Sequence, residues 1–404
     1  MSKSIRTVLV VNAGSSSLKF MLFDMSDEHV MAKGQVERIG MTGSRMTFKD
    51  AAGNEFRNDV DAPNHTAALT HVCKMLVDPE KGCLKSLDEI DAVGHRIVHG
   101  GEKYSSPVLI TPEAIEDIRQ LTPLAPLHNP GCIDGVICCG KILGKVPHVG
   151  IFDTAFHQTM PAESYLYALP KELHDQLAVR KYGFHGTSHK FVTQRASQVL
   201  GIPLDKLSII TCHLGNGSSI SAIKNGKCFD TSMGMTPLAG VMMGTRSGDV
   251  DPAVILYLLK QGYTADQIDD MFNKQGGVLA LGGTGSSDMR DLCSACAKGS
   301  ADAILTMKRL VHSYLMYIGG YIALLGHVDA IIMTGGIGEN SFETREAILE
   351  HLAGFGITFD KALNQTLRGK EGRLSNDDSS IPVYVLPTNE ELMIARETFA
   401  LLTK

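Results

Sequence analysis

The sequence predicts an α/β protein with more than one domain. Apolar strand-like segments alternate with helix-like segments along most of the 404 residues, an order typical of sheets covered by helices. A chain of this length also exceeds one ordinary hydrophobic core. In addition, Val10–Phe20 and Cys212–Ala222 share a pattern: an apolar strand, a turn rich in Gly, Asn and Ser, and a second strand. This echo favours two related domains, although chance similarity between Gly/Ser turns explains it equally well.

Each element is predicted from its apolar pattern: short β-branched runs for strands, and recurrence every three or four residues for helices. The predicted strands are Thr7–Val11, Ser17–Phe23, Ala92–Ile97, His148–Phe152, Leu207–His213, Ser218–Ile223, Ala330–Met333 and Val383–Leu386. The predicted helices are His65–Val77, Pro112–Leu121, Pro130–Ile142, Ser188–Leu200, Pro252–Gln261, Asp288–Ala297, Ala301–Leu325, Phe342–Ala353 and Glu390–Leu402. Asn340 is predicted to cap the helix that contains Glu343, and Thr388 with Glu391 fits a capping box.

Composition excludes several classes of protein. The net charge is −6 and there is no basic stripe, so a nucleic-acid surface is not expected. The first apolar run is short and interrupted by Asn12, unlike a secretory signal. Leu310–Val328 has no formal charge but contains polar residues, which predicts a buried helix and no membrane partner. The nine scattered cysteines predict free thiols and a cytoplasmic protein.

Two hairpin turns are candidate anion sites. The turns at Asn12–Ser17 and His213–Ser219 offer backbone N–H groups that suit phosphate, and Asn12 and Lys19 suit a metal or phosphate. A plain hairpin turn explains the same residues, since Asn, Gly and Ser favour turns. The sequence contains no GxxxxGK[ST] motif, which excludes a Walker loop.

A glycine-rich segment follows the strand before Gly335. Glycines between a strand and a helix let a nucleotide approach the backbone. A dinucleotide site is the alternative, but the segment is GGIGEN and lacks GxGxxG.

The remaining candidate site residues are polar or charged and lie after strands or in glycine-rich loops. Arg96 and Arg246 suit a carboxylate or phosphate, although a surface salt bridge is the commoner fate of an arginine. Asp153 follows a strand and fits either a ligand site or a helix cap. His185, with a second histidine four residues later, fits a metal site that lacks an acidic neighbour in sequence. Glu390 is the acid left to hold a cation.

Eight segments together resemble the acetate kinase (acetokinase) family. They are VLVVNAGSSSLKF, HRIVHGG, GIFDTAFH, GFHGTSH, HLGNGSSI, DTSMGMTPLAGVMMGTRSGD, TGGIGENS and PTNEEL. The resemblance runs from about Val8 to Arg396. Gly335 and Ala239 stand where other small or polar residues are expected, and neither is implied to be catalytic.

The resemblance implies a duplicated two-domain actin-like (ribonuclease H-like) fold with the active site in the interdomain cleft. The first domain would span 1–153 plus 387–404, on the acid-substrate and Mg²⁺ side. The second would span 154–386, with the nucleotide site and the dimer interface of a homodimer. The implied activity is reversible, ATP-dependent phosphorylation of acetate to acetyl phosphate by direct in-line transfer, with Mg²⁺ (or Mn²⁺) and ATP/ADP.

The resemblance also implies a role for each matching residue. Asp153, His185, Asn216 and Arg246 would be catalytic, with Asp153 orienting other groups because acetate has no proton to lose at neutral pH. Arg96 would bind the substrate carboxylate, and Val98, Leu127, Phe184 and Pro237 would surround its methyl group. Asn12 and Glu390 would bind Mg²⁺. The implied ATP-binding residues are Lys19, His213, Leu214, Gly215, Asn216, Gly217, Asp288, Met289, Arg290, Gly336, Ile337, Gly338, Glu339 and Asn340.

The sequence leaves three alternatives open. A propionate kinase of the same family is one, with acetate preferred because Val98 narrows the implied pocket. A pyrophosphate-linked relative is another, against which TGGIGENS and Asp288–Arg290 favour adenosine. A non-kinase, actin-like ATP-binding switch is the third, since fold alone does not decide function.

Overall fold

A computed structural model describes residues 5–126 and 128–404. The chain forms two compact units: Met1–Ala155 with Asn389–Lys404, and Phe156–Thr388. Each unit contains one mixed β-sheet with helices packed against it.

In its described residues, the first unit contains an eight-stranded sheet and four α-helices. Its strands are β1 (Thr7–Ala13), β2 (Ser17–Asp24), β3 (His29–Glu37), β4 (Arg45–Asp50), β5 (Glu55–Asp59), β6 (Ala92–Ile97), β7 (Val108–Leu109) and β8 (His148–Phe152). Its helices are α1 (His65–Leu76), α2 (Pro112–Gln120), α3 (Asn129–Ile142) and the last helix of the chain, α15 (Glu390–Leu402).

Strand β1 lies at the centre of this sheet and is buried on both faces. The strand order is β5-β4-β3-β2-β1-β6-β8-β7, with β1 antiparallel to β2 and parallel to β6. Leu9 and Val11 pack toward α1 and α3, whereas Val8 and Val10 pack toward Ile394 of α15. Burial on both faces explains why this strand is apolar at each position from Val8 to Val11.

The second unit contains a six-stranded sheet and eleven α-helices within the described residues. Its strands are β9 (Ile209–Leu214), β10 (Ser218–Lys224), β11 (Lys227–Thr231), β12 (Ala330–Thr334), β13 (Gly372–Arg373) and β14 (Val383–Val385). Its helices are α4 (Ala162–Tyr165), α5 (Lys171–Leu177), α6 (Gly186–Leu200), α7 (Pro252–Lys260), α8 (Ala265–Lys274), α9 (Gly277–Leu281), α10 (Met289–Ala297), α11 (Ala301–Leu325), α12 (Gly335–Asn340), α13 (Phe342–Leu352) and α14 (Lys361–Thr366).

The second sheet repeats the core of the first. Its order is β11-β10-β9-β12-β14-β13, with β11, β10 and β9 antiparallel and β9, β12 and β14 parallel. The strands β3-β2-β1-β6-β8 follow the same sequence of directions. The β1–β2 and β9–β10 hairpins therefore occupy equivalent positions. The echo seen in the sequence reflects a duplicated fold.

Two predicted helix caps are wrong. Ser341, not Asn340, caps α13, because Asn340 ends the short helix α12 and the Ser341 side chain accepts from Thr344 N. Asn389, not Thr388, caps α15, since its side chain accepts from Leu392 N. The Thr388 N–H instead donates to Glu339.

Two further expectations concern burial and thiols. Helix α11 packs its apolar face into the core of the second unit, through residues that include Leu310 and Tyr314. Among the described residues, no helix combines the length and the apolar character that crossing a bilayer demands. All nine cysteines lie in the described part of the chain and are free thiols.

A pair of histidines, of which His95 is buried, is expected to make the first unit sensitive to acid. His95 on β6 is buried, and its Nε2 lies 2.9 Å from Nδ1 of His148. Burial, and secondarily His148, lowers the pKa of His95 to about 3. In the unfolded chain a histidine takes up a proton near pH 6.5, whereas folded His95 does not until about pH 3. The unfolded state therefore binds more protons in this window, and stability is lost as pH falls through it.

We expect the urea concentration at the midpoint of unfolding to decrease as the pH is lowered from 7 to 4. The decrease should be smaller in His95→Gln, because glutamine has no proton to gain. His351→Gln changes an exposed histidine on α13 and should follow the unmodified protein. Equal acid sensitivity in all three proteins would contradict this origin.

Candidate active site

The first unit gathers three other predicted residues around Arg96. Arg96 lies near the end of β6, and Asp153 follows β8, the parallel neighbour of β6. The Arg96 Nε and Nη2 atoms donate to Asp153 at 3.0 and 2.6 Å, a two-point ion pair with a buried carboxylate. Nη1 of Arg96 lies 3.5 Å from Oδ1 of Asn12. We call Asn12, Arg96, Asp153 and Glu390 the Arg96 cluster.

Glu390 adds a second carboxylate to the Arg96 cluster. Its Oε2 lies 4.0 Å from Arg96 Nε, and its side chain is 21% exposed. Burial raises the pKa of Glu390, and Asp153 adds to the rise while Arg96 opposes it. Two carboxylates thus lie beside one guanidinium, and a bound cation would offset the burial of the Glu390 charge.

The oxygens of this cluster fit Mg²⁺. Within residues 5–126 and 128–404, no group of three or more His, Cys, Asp or Glu side chains forms a complete metal cage. Mg²⁺ sites that include substrate phosphates need only one or two carboxylates from the protein. Glu390 and the amide oxygen of Asn12 supply such a partial set. Lys19 lies directly across the β1–β2 hairpin from Asn12.

The β9–β10 hairpin gathers the predicted residues of the second unit. Its turn, Gly215–Gly217, follows a strand in which the Leu214 side chain is buried in the core. A Cβ atom added at Gly217 would lie 3.4 Å from His185 Nε2 and 3.5 Å from Arg246 Nη1. The space beside this glycine is therefore flanked by an imidazole and a guanidinium.

His185 is held in a strained backbone conformation at the start of α6. Its φ is 56°, in the left-handed region that non-glycine residues seldom adopt. Its Nδ1 lies 2.9 Å from Ser219 Oγ. Its ring stacks on His213, with the ring centroids 4.2 Å apart. The ring is fixed at one edge and one face.

Arg246 is placed by a loop that Asn216 supports. The N–H of Gly244 donates to the Asn216 carbonyl, and Arg246 Nη1 donates to the Pro237 carbonyl at 3.0 Å. Burial lowers the pKa of Arg246, but a guanidinium stays charged in proteins. The second unit thus aims a fixed positive charge beside the hairpin.

A pocket of about 830 Å³ opens beside the same hairpin. Helices α10 and α12 form two of its walls, and its volume suits a nucleotide-sized ligand. The predicted ATP-binding residues on its lining are Gly215, Asn216, Asp288, Met289, Arg290, Gly336, Ile337 and Asn340. Sequence reasoning missed other lining residues: Ser287, Cys293, Ser294, Ala297, Ser341, Glu343 and Arg368.

Gly338 and Glu339 are in the predicted ATP-binding set, and their hydrogen bonds stabilise α12, which forms one wall of the pocket. Glu339 Oε1 accepts from the N–H groups of Gly335 and Thr388 at 2.9 and 3.0 Å. The carbonyl of Gly338 accepts from Arg345, a fully buried arginine that also donates to Asn364 and Leu367. Nothing in the local sequence of Arg345 indicates this role, because its partners are backbone carbonyls and an amide.

The four predicted methyl-pocket residues fall in different parts of the chain. Val98 is buried just after β6 in the first unit. Phe184 and Pro237 belong to the second unit, where Phe184 is buried and precedes His185. Leu127 lies outside the described residues. The pocket stays a prediction.

The chain is similar to known proteins along nearly its whole length. Residues 7–396 match the acetokinase family. An acetate kinase of Desulfitobacterium hafniense is 50% identical over 398 residues, covering 98% of this chain and 99% of that protein. The solved structure of Porphyromonas gingivalis acetate kinase matches with a TM-score of 0.93 at 47% identity, over 98% of this chain and 100% of that one. A propionate kinase structure from Francisella tularensis matches with a TM-score of 0.91 at 39% identity, over 97% and 99%. The two-unit α/β chain therefore belongs to the acetokinase family.

Proposed function

We propose that the protein transfers the γ-phosphoryl group of ATP to acetate, reversibly, forming acetyl phosphate by direct in-line displacement. The observation that carries this is the β9–β10 hairpin with His185 and Arg246 beside Gly217. These groups suit an anion that gains charge during transfer, because a preorganised cation and donor stabilise its oxygens. A carboxylate is itself a nucleophile, so the reaction needs no general base.

The Arg96 cluster supports a carboxylate as acceptor. Asp153 occupies the Nε–Nη2 edge of the guanidinium, while Nη1 and the second N–H of Nη2 form another two-donor edge. That edge matches the two oxygens of acetate. Asp153 then fixes the direction of Arg96, and this role requires no proton transfer.

Asn12 and Glu390 would hold Mg²⁺ within the Arg96 cluster. When bound, Mg²⁺ neutralises charge on the ATP phosphates and favours the ionised form of Glu390. In the first unit Arg96 would bind the acid, and in the second unit His185, Arg246 and Asn216 would bind the phosphoryl group. They position two anions that otherwise repel each other.

Trapping the product with hydroxylamine tests the proposal. Acetate, ATP and Mg²⁺ should together yield acetohydroxamate, and omission of any of them should abolish it. Pyrophosphate in place of ATP should not support the reaction, because the 830 Å³ pocket suits a nucleoside. ATP turnover without hydroxamate would refute acyl phosphate formation and favour an actin-like switch.

We expect acetate to be preferred over propionate. Val98 is almost fully buried at the candidate methyl site, and one extra methylene typically changes kcat/KM by about 10- to 200-fold. The similarity to a propionate kinase at 39% identity makes propionate the relevant competitor. Measured kcat/KM values for the two acids decide the question.

Val98→Ala is the matched variant for this comparison. It should lower the ratio of kcat/KM for acetate to kcat/KM for propionate, because the smaller side chain makes room for the extra methylene of propionate. An equal or higher kcat/KM for propionate in the unmodified protein would reverse the assignment.

Helix α7 supports a homodimer. Its sequence, PAVILYLLK, is apolar, yet Leu256 and Tyr257 are 60% and 62% exposed. Val254, Ile255 and Leu259 are also exposed. So many exposed apolar side chains on one helix are typical of a subunit interface. A second copy of the chain would cover it symmetrically.

Light scattering should show a dimer that Leu256→Glu converts to monomer, because a buried charge opposes association. Leu177→Glu alters a leucine that is 62% exposed on α5 and should leave the mass unchanged. A monomer at micromolar concentration in the unmodified protein would contradict the dimer.

A further inference from the structure

A chain of hydrogen bonds runs behind His185 in the second unit. His185 Nδ1 lies 2.9 Å from Ser219 Oγ, and the same hydroxyl lies 2.8 Å from His189 Nε2. The other nitrogen of His189, Nδ1, lies 2.7 Å from Thr211 Oγ1. We call Thr211, His189, Ser219 and His185 the histidine relay. Thr211, His189 and Ser219 are each fully buried.

The fold explains why these residues meet. His185 and His189 are four residues apart at the start of α6, so their side chains lie on one face of the helix. Thr211 is on β9 and Ser219 on β10, neighbouring strands of the same sheet. Helix α6 packs against that sheet. The relay therefore connects the candidate phosphoryl site to the interior.

His189 carries a single ring proton. Burial, reinforced by His157 and His213, drives the pKa of His189 well below its usual range. One nitrogen of a neutral imidazole donates and the other accepts. The relay then has two possible directions.

In the first direction, Thr211 donates to His189, His189 donates to Ser219, and Ser219 donates to His185 Nδ1. Each of the three short contacts then holds one hydrogen. In the reverse direction, the Thr211 hydroxyl accepts from His189. It must then donate its own hydrogen to the Ser221 carbonyl, which lies 3.5 Å away. That distance is too long for a good O–H···O bond. The first direction satisfies every donor at short range.

We infer that Thr211, His189 and Ser219 are positioning residues that hold His185 as the tautomer with its proton on Nε2. His185 Nε2 is the atom that faces the space beside Gly217, next to Arg246 Nη1. A neutral His185 thereby presents an N–H donor where the phosphoryl oxygens are proposed to lie. This inference rests on the proposed function only for its catalytic consequence, since the tautomer is a property of the protein itself.

Nitrogen-15 NMR of histidine-labelled protein at neutral pH tests the tautomer directly. The His185 signals are identified by their loss in His185→Gln. We expect a protonated Nε2 and an unprotonated Nδ1 in the unmodified protein. An Nδ1–H tautomer or an imidazolium would overturn the inference, and this outcome needs no relay variant to fold.

Ser219→Ala tests the positioning role. It should mix the tautomers of His185 and lower kcat about tenfold, with the ATP KM within about twofold of normal, because one hydrogen bond is lost without loss of a ligand contact. Thr211→Val, which removes the terminal donor, should shift the tautomer in the same sense.

Ser221→Ala is the matched control for the relay. It removes an equally buried serine hydroxyl two residues along β10, bonded to Thr231 and to no histidine. If Ser219→Ala matches Ser221→Ala in both tautomer and kcat, the positioning role is refuted. Absence of hydroxamate in the unmodified protein would refute the kinase proposal while leaving the NMR result intact.

Discussion

Replacing Arg246 with Ala should lower kcat by about 10²–10⁴-fold, the scale expected when a charge partner of a transferring phosphoryl group is removed. Arg246 Nη1 lies beside the Gly215–Gly217 turn, and its Pro237 contact fixes its direction. The charge on the phosphoryl oxygens is greatest during transfer, so kcat should suffer more than the KM for ATP. Steady-state kinetics with saturating acetate measures the effect.

A surface arginine of the same unit controls for loss of charge alone. Arg195 lies on α6, and Arg195→Ala removes its ion pair with Glu371 and should leave kcat nearly unchanged. Turnover close to normal in Arg246→Ala would show that Arg246 has another role.

Arg96→Lys should raise the KM for acetate about 10- to 100-fold, since charge-assisted hydrogen bonds contribute strongly and one ammonium cannot replace a two-donor edge. Lysine also cannot make the two-point contact with Asp153. The KM for ATP should change far less. Initial rates across a range of acetate concentrations, at saturating ATP, separate the two constants.

Arg119→Lys, on the exposed surface of α2, is the matched control for this change. It should leave both KM values unaltered. An Arg96→Lys variant whose acetate KM is normal would place the carboxylate site elsewhere.

Strands were predictable from the sequence where their own residues form an apolar run. Both β1 and β9 are buried and contain an apolar run, and their turns carry Gly, Asn and Ser. Strands β3, β4 and β5 were missed because they are half exposed and interleaved with charged residues. Helix α12 was missed since its sequence, GGIGEN, contains three glycines, which disfavour helices.

The candidate site was predictable in its residues but not in their contacts. Motif resemblance identified Arg96, His185 and Arg246, and the structure places each within a polar cluster. The partners of His185 were not predictable, because Ser219 is 34 residues away and meets it only through the packing of α6 on the sheet. The same holds for Arg345, whose partners lie 7 to 22 residues away.

The position of α15 has a consequence for synthesis on the ribosome. This helix covers Val8 and Val10 of β1, yet it is translated after every residue of the second unit. One apolar face of the first sheet therefore stays exposed while the ribosome synthesises the more than two hundred residues of the second unit. During that interval the growing chain is exposed to aggregation, and a chaperone that shields apolar strands would have its longest opportunity to act.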